Sequence, residues 1–378
     1  MRGGFIHCWG IALVLLLSGC AGKSSQQQVS DLWDTWEAYE QQVQADYPDA
    51  VPIVLIHGWN GGESTWPDPR TLMKMEAALQ RDIYLFNYRT GIVANQYPPI
   101  EVLEEHLDIY LDTYQQVDVV AHSMGTLLMR QYLLHHRNNP VRRILLLSGP
   151  HFGSSVADFL VDLGTISLSS SGNIQAQEML PGSDFLWDLN SADGSELEGK
   201  LALNVYAKAE SKQFGGDAVV TPAHAWLPGA LNAAIDGDHH LGQRINEPWA
   251  MRFLKDGTLP PLTLAPASRE LWIRFKYADS AHGITFADGD IERFHLQHPH
   301  KKSALDQCCS LRSGLYSNGG TTYIVSDLQA DDAIRLYFDH HTRQQIIPLA
   351  PYLQKQQPVQ LITIMLERPG RLSNSGGS

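Results

Sequence analysis

The stretch Val119-Val120-Ala121-His122-Ser123-Met124-Gly125 decides the fold. Val117 to Ala121 reads as a short buried strand, and Thr126 to His135 carries apolar residues at helical spacing. A serine therefore stands where a strand turns into a helix. The residues two before and two after it, Ala121 and Gly125, are small. Small side chains there let backbone approach backbone, so the turn can be tight and the hydroxyl raised. A serine hydroxyl is a weak nucleophile at neutral pH and needs both that position and an adjacent base.

Outward from this turn the same rhythm repeats. Val51 to Ile56, Asp82 to Tyr88, Arg143 to Leu147 and Leu201 to Lys208 are further strand-like apolar runs. Thr71 to Gln80 and Ile100 to Gln115 have helical periodicity, the latter with Val102, Leu103, Leu107 and Leu111 on one stripe. Continuous apolar strands alternating with amphipathic helices imply an α/β fold, with a mostly parallel sheet covered by helices on both faces. The interval of about 152–200 breaks the rhythm. It reads either as a cap inserted over the carboxyl edge of the sheet or as a long loop with an ordinary crossover helix.

The elbow A-H-S-M-G resembles that of bacterial lipases and esterases of the α/β-hydrolase superfamily, whose usual pattern is G-x-S-x-G; Ala121 replaces the first glycine. The resemblance extends to His57-Gly58-Trp59 after the first core strand, similar to the His-Gly-x loop of lipases. It implies an oxyanion hole made by the backbone N–H groups of Trp59 and Met124, with His57 structural. Phe214-Gly215-Gly216-Asp217-Ala218-Val219 resembles the G-D-x-x-V segment that carries the lipase acid, which assigns that role to Asp217 over Asp236 and Asp238. The base follows in Asp238-His239-His240-Leu241-Gly242. Adjacent side chains point apart, so one imidazole alone can meet Ser123. The family's apolar residue after the base selects His240, with His239 the alternative. Ser148 to Ser154 and Leu180 to Asn190 are similar to further segments of the same group, so the resemblance covers about residues 50 to 255. Some of its lipases hold a structural Ca²⁺ through an Asp soon after the base. Leu241-Gly242 stands there instead, and neither a metal nor a cofactor is expected.

The two ends differ from this middle. Arg2 and the apolar run Ile11 to Leu17 have the length of a signal peptide, residues 1–19, too short to span a bilayer comfortably. The run ends in Leu17-Ser18-Gly19-Cys20, which resembles the lipobox of bacterial lipoproteins, where the chain is cut before a cysteine that is then lipidated. Ala21 rather than Asp after Cys20 implies, by the same resemblance, the outer membrane of the cell envelope. Residues 20–48 then hold the lipidated cysteine, a polar tether over 22–30 and a helix from Asp31 to Asp46 with Trp33, Trp36 and Tyr39 spaced by three. The hydrolase domain spans 49–256. From 257 to 370 short alternating runs (Glu270 to Tyr277, Ile291 to Leu296, Thr321 to Val325, Ala333 to Phe338, Val359 to Glu367) imply a small all-β domain, a sandwich. A Gly/Ser-rich tail, 371–378, follows.

Cys308 and Cys309 form either a strained vicinal disulfide or two thiols, in a compartment that permits disulfides. His295, His298, His300, His340 and His341 read as surface histidines rather than a metal site. A net charge of −13 without a basic run makes the chain a poor nucleic-acid binder, because phosphate contacts need Lys and Arg, and no nucleic-acid partner is expected. The resemblance implies a membrane-anchored serine hydrolase that cleaves carboxylic, lipid or acyl, esters. The alternatives are an acyltransferase or thioesterase using the same three residues, and a non-catalytic lipoprotein that uses the fold as a binding platform.

Overall fold

The structure, a computed structural model, describes residues 45–366 apart from 89, 91–97, 155–156, 158–173, 209–216, 218, 268, 280–282, 288–289, 298–308, 314–320, 327, 339–341 and 354–355. The signal segment, Cys20, the tether and most of the aromatic helix lie outside these residues. So do His298, His300, His340, His341 and Cys308. No helix among the described residues is long and apolar enough to cross a membrane.

Six strands form one parallel sheet: β1 (Ile53–Ile56), β2 (Ile83–Phe86), β3 (Val117–His122), β4 (Val141–Leu147), β5 (Leu201–Ala207) and β6 (Leu231–Ile235), in the order β2-β1-β3-β4-β5-β6. The central strands are mostly apolar because both faces are covered, with Asp118 and Asn204 as buried polar exceptions. Ile53, Leu55, Leu145, Leu147, Leu203 and Val205 pack beneath α1 (Pro69–Leu79) and a helix at Pro248–Asp256, through Met75, Leu79, Phe253 and Leu254. α2 (Ile100–Leu111) and α3 (Met124–His135) pack together on the other side, burying Leu103, Leu107, Leu127 and Leu128. Each such side chain removed from water contributes about 1.5–3 kcal/mol.

Between β4 and β5 stand α4 (Ile174–Glu178), α5 (Asp184–Asn190) and a 3₁₀ turn at Ser195–Leu197. Arg130 of α3 ties this region to the sheet. Its guanidinium is fully buried, 2.7 Å from the Glu196 carboxylate, and donates to Asn190 Oδ1 at 3.0 Å. After β5 come α6 (Pro222–Ala225), β6 and α7 (Pro248–Asp256).

The C-terminal part is all β among its described strands. β7 (Glu270–Asp279) pairs with β8 (Gly283–Phe286), β11 (Thr321–Val325) and β14 (Val359–Leu366), and β10 (Cys309–Ser313) extends the sheet beyond β11. A second sheet has the order β13-β12-β9, from Arg343–Pro348, Ala333–Phe338 and Arg293–Gln297. Leu271, Ile273 and Phe275 of the first meet Ile334, Leu336 and Phe338 in one core, so the two sheets form a sandwich. β14 runs parallel to β7, whereas the other pairings are antiparallel.

Some elements depart from the sequence reading. The helix after Ser123 begins at Met124, two residues early, because the chain turns straight from strand into helix. α2 ends at Leu111 rather than Gln115. β8, β10, β13 and α7 were not anticipated.

Candidate active site

In the order β2-β1-β3 the chain leaves β1 and β3 in opposite directions, which opens a crevice at their carboxyl ends. Two loops meet there. Ser123 follows β3 directly with φ 53° and ψ −126°, a conformation L-residues rarely take, and α3 starts at the next residue. Gly125 lies against β1: a Cβ on it would collide with the carbonyl oxygens of His57 and Ile56. Gly58 lies against the serine itself, and a Cβ there would come 2.6 Å from Ser123 Cβ and 3.2 Å from Oγ. The glycines let the His57-Gly58-Trp59 loop close on the elbow.

That loop is held by His57. Its Nδ1–H donates to the Gly58 carbonyl at 2.9 Å, its Nε2 accepts from Tyr88 N–H at 3.3 Å, and its ring stacks on Tyr88 with centroids 4.2 Å apart. Burial lowers its pKa to about 4, against the Gly58 carbonyl, so the ring stays neutral and structural. Trp59 follows Gly58, which itself lies against Ser123. Met124, the first residue of α3, has no carbonyl one turn back for its N–H.

Ser123 Oγ lies 2.9 Å from Nε2 of His239, and Nδ1 of the same ring lies 2.8 Å from Asp217 Oδ2. The carboxylate only accepts, so Nδ1 carries the proton and Nε2 is free to accept from the serine hydroxyl. The structure brings Ser123 and Asp217 together but not His240, and the choice of His240 is corrected to His239. The His240 side chain is 76% exposed and lies 3.4 Å from Asp238. The physical reason is how the chain between β6 and Leu241 is tied down. The His239 carbonyl accepts from buried His122 Nε2 at 2.7 Å, and Leu241 is fully buried at the start of the next turn. With 239 facing inward, its neighbour at 240 faces water.

Asp217 is almost fully buried. Burial raises its pKa, but the His239 ring and the N–H groups of Val220 (2.7 Å) and Val219 (3.0 Å) outweigh this, and the carboxyl sits below its ordinary value. The rival acids point away: Asp236 pairs with Lys208 at 3.2 Å on the surface, and Asp238 meets only His240 among the candidate bases. His151 is buried outside the hydrogen-bonded series, with Nε2 3.1 Å from Asn204 Oδ1.

A nucleophile, a base and an orienting acid in hydrogen-bonded series can perform acyl transfer. The family comparison agrees with this chemistry: the model of the "Alpha/beta hydrolase family" matches residues 53–351. The chain belongs to the alpha/beta hydrolase family. Among solved structures, the phospholipase PlaB from Legionella pneumophila in complex with thio-NAD superposes with a TM-score of 0.57 at 16% identity, covering 87% of this chain and 97% of that one. A second PlaB structure gives 0.57 at 14% with the same coverage. The mature lipase BlEst2 from Bacillus licheniformis gives 0.44 at 21%, covering 55% of this chain and 93% of that one. No curated protein matches in sequence.

The sequence reading quoted His122 within the elbow but gave it no role. Burial lowers its pKa to about 3, and as a neutral donor it fixes the His239 backbone. Among the described residues no group of His, Cys, Asp and Glu is arranged to hold a metal ion.

Proposed function

We propose that this hydrolase is a membrane-anchored serine esterase that cleaves carboxylic, lipid or acyl, esters through an acyl-enzyme. The observation that carries the reading is the series Ser123 Oγ, His239 Nε2, His239 Nδ1, Asp217 Oδ2, at 2.9 and 2.8 Å. Ser123 attacks the acyl carbon while His239 takes its proton. Asp217 holds the ring in the required tautomer and faces the imidazolium. The N–H groups of Met124 and Trp59 receive the charge on the carbonyl oxygen, an interaction of about 3–4 kcal/mol per donor. His239 returns the proton to the leaving alcohol, and a water activated by the same ring then cleaves the ester to Ser123. A phospholipase among proteins of similar fold supports lipid esters as the substrate class. Hydrolysis of p-nitrophenyl esters of increasing chain length tests the reading: turnover that survives Ser123→Ala sinks it, and a peak at the shortest chains refutes the lipid preference.

Anchoring rests on the lipobox at Leu17 to Cys20. Acyl chains on Cys20 would hold the body at the membrane by about 0.8 kcal/mol per buried CH₂. With Ala21 next, the outer membrane is the proposed site. Labelled fatty acid must be incorporated by the wild-type chain and lost in Cys20→Ala.

A further inference from the structure

The sandwich has so far been given no part in the chemistry. Its first strand nevertheless reaches into the support of the catalytic acid. Glu270, at the start of β7, places Oε1 3.1 Å from Nε2 of His224 on α6. The same oxygen accepts from Trp272 Nε1 at 2.6 Å, and Oε2 accepts from Ser326 Oγ at 3.0 Å. Three donors from three segments thus converge on one carboxylate, and the His224 and Glu270 side chains are each only 12% exposed.

His224 stands seven residues after Asp217. The segment between is short of support of its own, since α6 is a single turn, and such a turn does not hold itself. It is tied instead from outside. Phe152 N–H donates to the His224 carbonyl at 3.0 Å, Ser154 Oγ donates to the Val219 carbonyl at 3.0 Å, and Thr221 Oγ1 caps α6 by accepting from His224 N–H. Val219 and Val220 in turn donate to the Asp217 carboxylate. Trp272, fully buried, packs edge-on against Phe152 (5.7 Å) and His224 (6.4 Å). β7 therefore backs the segments that carry Phe152 and His224.

We propose that Glu270 is a positioning residue for the reaction: it fixes His224, His224 fixes the turn that carries Asp217, and the β sandwich thereby completes the active site of the hydrolase domain. The proposal rests on the Ser123–His239–Asp217 reading above. Burial disfavours charge on both partners, yet each partner's charge outweighs it, so His224 is raised and Glu270 lowered from their ordinary values. A buried ion pair seldom adds net stability over apolar packing, and its better-attested use is to fix one arrangement.

The test uses the full chain and p-nitrophenyl butyrate. Glu270→Gln, His224→Gln and the double variant are compared with wild type, with rates normalised to the sites titrated by a fluorophosphonate. Each single change is expected to lower kcat about ten-fold with KM within about two-fold, the size that a displacement of well under 1 Å gives. The double variant is expected to lose no more than the worse single one, because the two residues act as a unit. Ser326→Ala, which removes one donor and leaves the pair, should cost about two-fold and keeps the test open if Glu270→Gln does not fold. Unchanged kcat per titrated site in Glu270→Gln or in Ser326→Ala, or losses that multiply in the double variant, would overturn the proposal. Asp217→Asn separates the two levels. If it is inactive while Glu270→Gln is unaffected, this inference alone fails; if it is active, the reading beneath it fails.

Discussion

Replacing His239 with alanine should silence the enzyme, whereas replacing its neighbour His240 should not. The wild-type ring makes two contacts, 2.9 Å to the nucleophile and 2.8 Å to the acid, and is the one base within reach of Ser123 Oγ among the described hydrogen bonds. Its loss removes proton acceptance in the first step and proton donation to the leaving group. Deleting the base from such a series lowers kcat by about 10⁴- to 10⁶-fold. At 1.36 kcal/mol per decade this is about 5–8 kcal/mol of transition-state stabilisation. The His240 side chain is 76% exposed and lies 3.4 Å from a surface carboxylate, so its removal should change the rate by less than about two-fold. The assay is kcat and KM on p-nitrophenyl butyrate, with circular dichroism to confirm folding. A His240→Ala protein that loses a hundred-fold or more, beside an active His239→Ala protein, would refute the geometry and restore the assignment made from sequence.

Further consequences follow from packing and charge. Gly125→Ala should lower both activity and thermal midpoint, because the new Cβ meets the carbonyl oxygens of His57 and Ile56, which are backbone and cannot swing aside; overpacking of this kind costs about 1–3 kcal/mol. Arg130→Ala leaves Glu196 buried without its cation, and urea denaturation should report a loss of about 3–5 kcal/mol, with Arg130→Met/Glu196→Leu recovering much of it. His57 and His122 stay neutral in the fold down to about pH 4 and about pH 3, while in the unfolded chain each takes a proton below about 6.5. The unfolded state then binds more protons, so these rings leave stability intact above pH 6.5 and lower it as pH falls from there toward 4. Urea midpoints at pH 7 and pH 5 measure the difference, and His122→Asn should shrink it; an unchanged difference would contradict the buried neutral state.

The catalytic half of the molecule was legible because its strands are buried on both faces. Val117 to Ala121 and Arg143 to Leu147 have little choice but to lie inside a parallel sheet, and the small residues around Ser123 mark the turn. Where the backbone, not the side chain, sets direction, the reading failed. Whether 239 or 240 faces inward depends on the buried His122–His239 carbonyl contact, which no local pattern reveals. α7 did carry signals that the reading passed over: Pro248 at its first position, Gly257 at its left-handed end with φ 81°, and Ala250, Phe253 and Leu254 on its buried face. β13 (Arg343–Pro348) is half polar at an edge of its sheet and offers little alternation to read. Glu270 had no signal at all. Its role depends on a contact spanning 46 residues, set by how the sandwich meets α6.

The most direct test of the account is the stoichiometry and position of a fluorophosphonate adduct. Intact-protein mass spectrometry followed by peptide mapping should find one adduct per chain, on Ser123, absent from Ser123→Ala, and formed at least a hundred-fold more slowly in His239→Ala. An unlabelled folded protein, or an adduct on another residue, would contradict the assignment of Ser123 as the nucleophile.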